Sequence, residues 1–394
     1  MSSHPYSDVV IAAGYNTEQA KRLDGHNSLS ITVEAALGVL DMAGVSADQI
    51  DAVYGTNATL GPGSLQLAHA LGVAPVRAAG ADRGIATLID AINGVAAGVY
   101  KMVLVAGGDA GLHLDRASTA PWTRPAHEFV APFGLYTAAE FALIARRHMA
   151  VYGTTPEQLA TVAATIRNHG STNPEAVFYG KGPFTPDDVL ASRMVADPFH
   201  LLDCSMTSEG GAAMLITTED RAKDFKLAPV YVHGAESDAF GPSYQIAPSW
   251  DLSSRVSGDV PNGYIGRRAA RRSFELAGLT PADVDICEFY DPFSFEIIRQ
   301  FEAFEFCKPG EGGDFVASGA IALDGRYPTT TDGGTMAYAH SGWVQQIQRV
   351  IRGIHQIQGI CAANQIADVD VAMCSCGGAG ALYNEVMLLG RERP

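Results

Sequence analysis

Four short segments of this 394-residue chain combine reactive or polar side chains with glycines. Each lies at the end of a predicted strand or on a glycine-rich loop, where open α/β sheets place their sites. Between them they offer a phenol, an imidazole, carboxylates and thiols, which are groups that move protons or attack carbonyl carbons. The segments are GADRG at 80–84, EFYDPFS at 288–294, TTTDGGTMAYAHSG at 329–342 and CSCGGAG at 374–380.

The third segment carries the best acid–base candidate, His340. A histidine in a glycine-bounded loop after a strand is better placed for proton transfer than one on a helix face. Tyr338 supplies a phenol in the same segment, and it would share a face with His340 if the segment has a strand-like register. Gly333 and Gly334 would let the backbone come close to a ligand.

The first third of the chain contains the elements that must position these segments. Apolar residues recur at helical spacing in its first helix, which ends at Gly44. The alternation of strands with helices predicts a parallel sheet covered by helices on both faces. The predicted strands are SDVVIAAGY, QIDAVYGTNAT and KMVLVAGGD, and the predicted helices are SLSITVEAALGVLDMAGVS, SLQLAHALGV and ATLIDAINGVAAGVY.

Residues 111–200 interrupt this alternation with several helical patterns, Pro and Gly breaks and no obvious strand. They predict a helical excursion that rejoins the sheet at GGAAMLITTED and APVYVHGAE. Excursions of this size often build the substrate cavity.

After about residue 250 the strand–helix alternation begins again. PNGYIGRRAARRSFELAGLTPADVDICEFYD parallels SLSITVEAALGVLDMAGVSADQIDAVYGTN in element order and turn residues. Such an internal repeat predicts two similar α/β halves, at 1–250 and 251–394, with the excursion in the first.

The composition excludes several classes of protein. No run approaches the roughly 18 apolar residues of a membrane span, and the start of the chain lacks the pattern of a signal peptide. Six scattered cysteines do not suggest a disulfide framework, so we expect a cytoplasmic protein. The formal net charge of −16 argues against nucleic acid or an anionic membrane as the main partner.

A local basic stripe could still serve an anionic small ligand. In GRRAARRSF, Arg268 and Arg272 lie at helical i,i+4 spacing, as do Arg267 and Arg271. Arg268 and Arg272 could therefore reach a phosphate group. The alternative is a solvated helix face.

Over nearly its whole length the chain resembles the thiolase superfamily, and within it the sterol-carrier or lipid-transfer-type thiolases of bacteria. The resemblance implies an α/β protein with a duplicated five-layer α/β/α/β/α thiolase fold, a dimer or dimer of dimers, and a coenzyme A thioester substrate. It implies no permanently bound cofactor or metal, and it allows for a zinc-ribbon/OB-fold partner subunit. It rests on the order of AEFALIARRHMAVYGTTPEQLATVA, NPEAVF, LDCSMTSEGGAAMLI, FYDPFS, TDGG…HSG and CGGAG.

The first segment departs from the family at its nucleophile. Working thiolases read Cys-x-Ser-Gly there, with the thiol at a helix N-terminus that lowers its pKa. Here Ala81 stands at the place of that cysteine. Asp82 is more often a helix cap in such a position, and Arg83 is no nucleophile, so the sequence does not predict an acyl-enzyme.

The resemblance assigns roles to residues of the second and third segments. Tyr290 stands where the family has an Asn or His that holds a water in an oxyanion hole. Its phenol could donate to a thioester oxygen or accept a proton from a hydroxyl, with Asp291 as an orienting group. The alternative is a tyrosine packed in the core. His340 takes the place of the catalytic histidine, although Ala339 replaces the usual glycine before it.

In the fourth segment Cys374 aligns with the acid–base cysteine of ordinary thiolases, and Cys376 stands at a usual glycine. Gly377 and Gly378 continue this loop as expected substrate-binding residues. Cys374 has the alternative of a buried, inert thiol. A Cys-x-Cys pair alone supplies too few ligands for a closed zinc site.

These residues suggest three functions. Without a thiolate, the remaining groups could stabilise a thioester enolate, which is also the product of retro-aldol cleavage of a β-hydroxyacyl-CoA. Tyr290, His340 and Cys374 would fill the acid–base roles in that cleavage, and relatives that lack the cysteine act as aldolases in steroid side-chain degradation. One alternative is a Claisen-type acyltransferase with another nucleophile. The other is a non-catalytic acyl-CoA-binding subunit.

Overall fold

The three predicted strands and three predicted helices of the first third are confirmed, with small shifts at their ends, whereas β3 was not predicted and forms where the sequence suggests a loop. The elements are β1 (Val9–Asn16), α1 (Ser28–Ala43), β2 (Ala52–Thr56), α2 (Ser64–Leu71), β3 (Arg77–Ala81), α3 (Gly84–Ala96) and β4 (Met102–Asp109). The structure is a computed structural model that describes residues 4–56, 63–81, 84–111, 137–239, 264–378 and 383–394.

Helix α1 illustrates how local sequence sets these bounds. Asn27 accepts hydrogen bonds from the amides of Leu29 and Ser30, which have no partner inside the helix. At the other end Gly44 has a φ of 74°, a left-handed conformation that favours glycine. The predicted helix end at Gly44 is confirmed.

In its described part, residues 137–200, the excursion is mainly helical, and it is followed by the two predicted strands. No strand is obvious in its sequence, but two very short strands pair around the Asp197–Pro198 turn. Strands of two and three residues are too short to show alternation in the sequence. Its elements are α4 (Thr137–Tyr152), α5 (Pro156–Thr172), α6 (Pro186–Ala191), β5 (Met194–Ala196) and β6 (Phe199–His200), followed by β7 (Gly210–Thr218), α7 (Glu219–Ala222) and β8 (Val230–Ala239).

The second half repeats the first, as its sequence predicts. Helix α8 ends at Gly278 in the left-handed conformation, and a three-residue 3-10 turn at Pro281–Asp283 leads into β9, just as α1, Gly44 and the turn at Ala47–Gln49 lead into β2. Its elements are α8 (Arg267–Ala277), β9 (Ile286–Glu288), α9 (Ser294–Ala303), α10 (Gly312–Ala317), α11 (Val344–Gln358), β10 (Val371–Gly378) and β11 (Tyr383–Gly390).

The strands are joined in the order β3-β2-β4-β7-β1-β8-β11-β10-β9. The expectation of a parallel sheet is only partly met. Strand β2 is parallel to β3 and β4, and β9 is parallel to β10, whereas β7 and β11 run antiparallel to both neighbours. Strand β11 begins only four residues after β10, which is too short a connection for the crossover that a parallel neighbour needs, and β7 follows the long excursion.

The two halves meet at β1 and β8, which share only two residue pairs. From there the order β1-β7-β4-β2-β3 in one half corresponds to β8-β11-β10-β9 in the other. Beyond β9, Thr329 forms a parallel bridge with Cys287 at the position equivalent to β3. Strand β8 precedes residue 250 yet pairs along its length with β11, and the division at residue 250 stays a prediction.

Five layers result from this arrangement. Helices α1 and α2 contact strands of the first half, α8 contacts strands of the second half, and α3 and α11 contact strands of both. Side chains of α3 and α11, such as Leu88 and Ile351, pack in one buried cluster with Ile11 of β1 and Met387 of β11. The duplicated α/β/α/β/α fold expected from the resemblance is thus present, with α3 and α11 as its central layer. Within the described ranges, no helix has the length and apolar character to cross a bilayer.

Candidate active site

Tyr290 follows β9 in a tightly held turn. Its amide donates to Ser375 Oγ at 3.1 Å, and its carbonyl accepts from Gln300 Nε2 at 2.7 Å. Ser375 Oγ in turn donates to Gln300 Oε1. The backbone of Tyr290 is therefore fixed by β10 on one side and α9 on the other, and its side chain is 7% exposed.

Asp291 holds the loop that carries the third segment. Its carboxylate accepts from the amides of Thr335 and Met336 and from Thr335 Oγ1, at 2.8 to 3.1 Å. These donors begin a π-helical turn at Gly334–Tyr338. Burial raises the pKa of Asp291 to about 7, against the lowering effect of Arg349 and the two amides. Asp291 therefore shapes this turn, and its orienting role in the reaction stays a prediction.

Protein atoms surround the two glycines of this loop. A side chain at Gly333, whose φ is 105°, would collide with Gly170 of α5, and one at Gly334 would collide with the Asp291 carboxylate. Close packing therefore accounts for both glycines, and their role in substrate binding stays a prediction.

Beneath this loop lies a buried network of charges. Arg349 of α11 donates to both carboxylate oxygens of Asp332, at 2.6 and 2.8 Å, and its Nη1 lies 3.6 Å from Glu288. Arg352, one turn later, donates to Thr331 Oγ1 at 2.8 Å. These contacts pin α11 to the loop before the π-helical turn and to the end of β9.

His340 lies after the π-helical turn, with its side chain mostly buried. Its amide donates to Ser208 Oγ at 2.7 Å, its carbonyl accepts from the Ser208 amide, and the Met206 backbone hydrogen-bonds its ring. Burial lowers the pKa of His340 to about 4, so the imidazole is neutral at pH 7. A neutral imidazole can accept a proton.

The segment Cys204–Glu209 ties these parts together, and sequence reasoning gave it no role. Ser205 N donates to Pro292 O, Met206 N donates to Thr335 O, and Ser208 contacts His340. The only sequence signal is its place in LDCSMTSEGGAAMLI, one of the stretches that carry the resemblance.

Gln345 is a second residue that sequence reasoning missed. It lies in the first turn of α11, and its Nε2 donates to Tyr290 Oη at 3.4 Å. Its side chain is 4% exposed, and its Oε1 is buried without a hydrogen-bond partner. Helix α11 contains five glutamines, and no motif distinguishes this one from the others.

Cys374 lies apart from these groups, in the middle of β10. It is fully buried, and its Sγ packs where a side chain at Gly353 of α11 would lie. Burial, and secondarily the charge of Glu288, raise the pKa of this thiol well above its usual value. This environment favours the alternative of a buried, inert thiol, and the acid–base role of Cys374 stays a prediction.

The N-terminus of α3 is occupied by side chains from three other elements. The capping bonds run from Gly84 N to Gln346 Oε1 (2.7 Å), from Ile85 N to Cys376 Sγ (3.4 Å) and from Ala86 N to Glu385 Oε2 (2.8 Å). The capping side chains are held in turn: Cys376 Sγ donates to Glu385 Oε2 at 2.8 Å, and Gln346 Nε2 donates to Tyr383 Oη at 2.9 Å.

This capped helix end matters because it follows the segment where thiolases keep their nucleophile. The amides at this helix N-terminus, together with the helix dipole, would stabilise a thiolate. In this protein two of those amides already contact the thiol of Cys376 and the carboxyl group of Glu385. Asp82 and Arg83 lie outside the described residues. The prediction that no acyl-enzyme forms here agrees with the capped amides.

The remaining candidates are placed away from the turn at Tyr290 or against protein atoms. Tyr338 ends the π-helical turn, so it does not have the strand-like register in which it would share a face with His340. It packs with Ala176. Burial raises the pKa of its phenol. The turn forms because Asp291 captures its first amides. Gly377 and Gly378 end β10, where Gly378 packs against the Tyr383 ring.

The predicted basic stripe is paired with acids. Arg268 Nη2 lies 2.6 Å from Asp238, and Arg272 Nη2 lies 3.1 Å from Glu236. The other two arginines, Arg267 and Arg271, both contact Glu305. The phosphate-binding role of Arg268 and Arg272 stays a prediction.

Together these groups can perform acid–base chemistry without a covalent intermediate. The ends of β9 and β10, the π-helical turn and the first turns of α3 and α11 bring a fixed phenol, a buried amide and a carboxylate to one region. A neutral imidazole follows on the same loop. Such groups can polarise a carbonyl and transfer a proton. No cluster of three or more potential metal ligands occurs among the residues the structure describes.

Comparisons with known proteins give this region its family context. The thiolase C-terminal domain-like family model matches residues 263–391. An acetyl-CoA acetyltransferase of Methanothermobacter thermautotrophicus is 34% identical over 88% of this chain and 90% of its own length. A 17-hydroxy-3-oxo-4-pregnene-20-carboxyl-CoA lyase of Mycobacterium tuberculosis is 31% identical over 92% of this chain and 95% of its own.

A solved structure agrees with these relatives. An Ltp2-ChsH2(DUF35) aldolase aligns with a TM-score of 0.84 at 27% identity, over 98% of this chain and 98% of that one. The extent of these matches and the five-layer fold confirm the resemblance seen in the sequence. The chain belongs to the thiolase superfamily.

Proposed function

We propose that this protein is a carbon–carbon lyase that cleaves a β-hydroxyacyl-CoA by a retro-aldol reaction through a thioester enolate. The observation that carries the proposal is the capped N-terminus of α3, where Gln346, Cys376 and Glu385 occupy the amides beside the missing nucleophile. Relatives that are a CoA-thioester lyase and an aldolase, both matched over nearly the whole chain, support the same reaction.

In this reaction the β-hydroxyl group gives up its proton and the bond between the α- and β-carbons breaks. Its electron pair passes to the thioester as an enolate, an aldehyde or ketone leaves, and the α-carbon then takes a proton. His340, which is neutral at pH 7, is our candidate base. Tyr290 is our candidate donor to an oxygen of the substrate, held in place by Ser375 and Gln300.

Asp291 supports both residues by fixing the turn between them. Cys374 has no role in this scheme because it packs against Gly353 within the central layer. A Claisen-type acyltransferase is the second candidate, supported by the acetyl-CoA acetyltransferase relative. It would need another nucleophile, for which the thiol of Cys376 at the N-terminus of α3 is a candidate.

The wider setting is also part of the proposal. We expect coenzyme A as part of the substrate, no permanently bound cofactor, a homodimer and a cytoplasmic location. A partner subunit of the zinc-ribbon/OB-fold type is supported by the two-component Ltp2-ChsH2(DUF35) aldolase. Neither nucleic acid nor membrane is expected as a partner.

Product analysis tests the proposal. Purified protein, co-expressed with its genomic neighbours, is given β-hydroxyacyl-CoA and β-ketoacyl-CoA panels with and without free coenzyme A. We expect coenzyme-A-independent release of an aldehyde or ketone and a shorter acyl-CoA from the hydroxy substrates. Cleavage of keto substrates that requires free coenzyme A would instead establish thiolysis.

Variants then assign the roles. Removing a hydrogen-bond donor to a developing oxyanion typically slows an enzyme by about 100- to 1,000-fold, and we expect such a loss of kcat for Tyr290→Phe. His340→Ala should lose about 100- to 10,000-fold, as expected for a general base. Cys374→Ala is the matched control, with near-normal turnover. A loss in Cys374→Ala as large as in His340→Ala would return the thiol to the mechanism.

A further inference from the structure

We propose that Gln345 selects a β-hydroxyl group over a β-keto group, by accepting a hydrogen bond from the substrate hydroxyl at its Oε1. The inference rests on the proposed function, since it takes the substrate to be a β-substituted acyl-CoA that reacts beside Tyr290. It names the feature by which the site would distinguish an aldol substrate from a thiolase substrate.

The first support is an unpaired acceptor in a buried place. Gln345 Oε1 has no hydrogen-bond partner, although the side chain is only 4% exposed. Leaving a buried amide oxygen unpaired costs stability, and most buried polar atoms avoid that cost. A ligand hydroxyl would supply the missing partner.

The second support is position. The other end of the same amide, Nε2, lies 3.4 Å from Tyr290 Oη. Gln345 Oε1 belongs to the same amide, so we expect a substrate group that contacts the Tyr290 hydroxyl to lie close to it. The unpaired acceptor is thus part of the side chain that contacts the phenol we place beside the reacting carbons.

The third support is rigidity. Arg349, one turn further along α11, is bound to both oxygens of Asp332, which fixes the rotation of the helix. The backbone of Tyr290 is fixed by Ser375 and Gln300. The helix that carries Gln345 and the turn that carries Tyr290 are therefore both held in place.

The chemical consequence is discrimination between two closely similar groups. A β-hydroxyl donates a hydrogen bond, and therefore pairs with Oε1. A β-ketone only accepts, so it brings a second acceptor towards Oε1 and leaves both unpaired. Sites that hydrogen-bond a substrate hydroxyl reject analogues that lack it much more strongly than apolar pockets reject small differences in size.

Equilibrium binding tests this without relying on turnover. The probes are two thioether analogues of an acyl-CoA, with a CH₂ in place of the thioester carbonyl, that carry either a β-hydroxyl or a β-keto group. They have no thioester carbonyl to take the electron pair of the breaking bond, so they bind without retro-aldol cleavage. We expect the wild-type protein to bind the hydroxyl analogue at least about 10-fold more tightly.

Gln345→Met keeps the length of the side chain and removes its hydrogen-bonding groups. We expect it to bind both analogues equally, with a thermal unfolding midpoint equal to or above that of the wild type. Gln345→Leu replaces it if Gln345→Met does not fold. Gln348→Met is the matched control, because Gln348 is equally buried on the same helix and both of its amide atoms also lack partners; it should keep the preference.

Three outcomes would overturn the proposal: no preference in the wild-type protein, a preference that survives in Gln345→Met, or an equal loss in Gln348→Met. A failure of the proposed lyase reaction looks different. In that case the hydroxyl preference and its loss in Gln345→Met would be observed, while the intact β-hydroxyacyl-CoA thioester would remain uncleaved.

Discussion

Glu140, in the first turn of α4, has a fully buried side chain whose two carboxylate oxygens have no hydrogen-bond partner. Burial raises the pKa of this carboxyl to about 7. Its neighbour Phe141 packs against Phe293 of the turn that follows Tyr290, with ring centroids 4.9 Å apart. A buried carboxyl group without hydrogen-bond partners therefore lies next in sequence to a residue that packs against the turn after Tyr290.

We predict that Glu140→Gln stabilises the protein at pH 8 and has little effect at pH 4. The folded pKa of about 7 lies above the value near 4.5 in the unfolded chain, so the folded state binds the proton more tightly. The folded protein therefore loses stability through this carboxyl group as the pH rises from about 4.5 to about 7. Thermal unfolding midpoints of both proteins between pH 4 and 8 measure the effect.

A difference between the two midpoints that does not change with pH would contradict this assignment. Glu275 provides the control, because it lies on α8 with an exposed side chain. Glu275→Gln should leave the difference between acidic and neutral pH close to that of the wild type.

Among single residues, the sequence predicted the site residues that belong to a motif and missed those that do not. His340 and Tyr290 could be selected because their loops match a family pattern. Gln345, Cys376 and Glu385 could not be assigned roles, because they contact α3 or the turn after β9, which lie far from them in the chain.

The π-helical turn at Gly334–Tyr338 is the element that links the phenol and the imidazole. The turn depends on Asp291, which takes two of its first backbone amides and the Thr335 hydroxyl. Because the acceptor lies 44 residues before Thr335, the sequence shows a loop there and cannot show which residue shapes it.

We predict that Asp291→Ala lowers the free energy of unfolding by roughly 2–4 kcal/mol, since it leaves buried donors without an acceptor. Urea unfolding of the variant and the wild type measures this loss. Asp314→Ala, which removes the carboxylate that accepts from Gln158 in an exposed hydrogen bond, is the control and should change stability by well under 1 kcal/mol. A loss for Asp291→Ala as small as that of the control would show that the turn does not need its acceptor.

Other elements followed from local sequence more directly. The capped helix α1 and the repeated helix–turn–strand unit were predictable because glycines and turn residues act within a few positions. The antiparallel directions of β7 and β11 were not predictable, because the sequence does not reveal how the connections before these strands run.

In the whole molecule, the two halves share their interior. Helix α11 of the second half packs Ile351 against Gly14 of β1, and its His355 ring hydrogen-bonds the Gly14 carbonyl at 2.7 Å. Helix α3 of the first half contacts β8 and β11 of the second. Neither half therefore covers its inner sheet face alone.

We predict that residues 230–394, expressed alone, do not fold cooperatively, whereas the full chain unfolds in one transition. The physical reason is that the fragment would expose the apolar face that α3 and the first-half strands cover. Calorimetry of the full chain and circular dichroism of the fragment during heating test this. A sharp thermal transition in the fragment would show that the halves are independent domains.

The capped end of α3 also bears on how the chain could change its chemistry during evolution. Restoring a cysteine at position 81 alone would leave the N-terminal amides of α3 held by Gln346, Cys376 and Glu385. Those three residues belong to α11, β10 and β11, so a return to covalent catalysis would need coordinated replacements on three elements. Each replacement by itself would uncap the helix and lower stability without adding a nucleophile. The loss of the cysteine is in this sense a one-way step, which single mutations do not readily reverse.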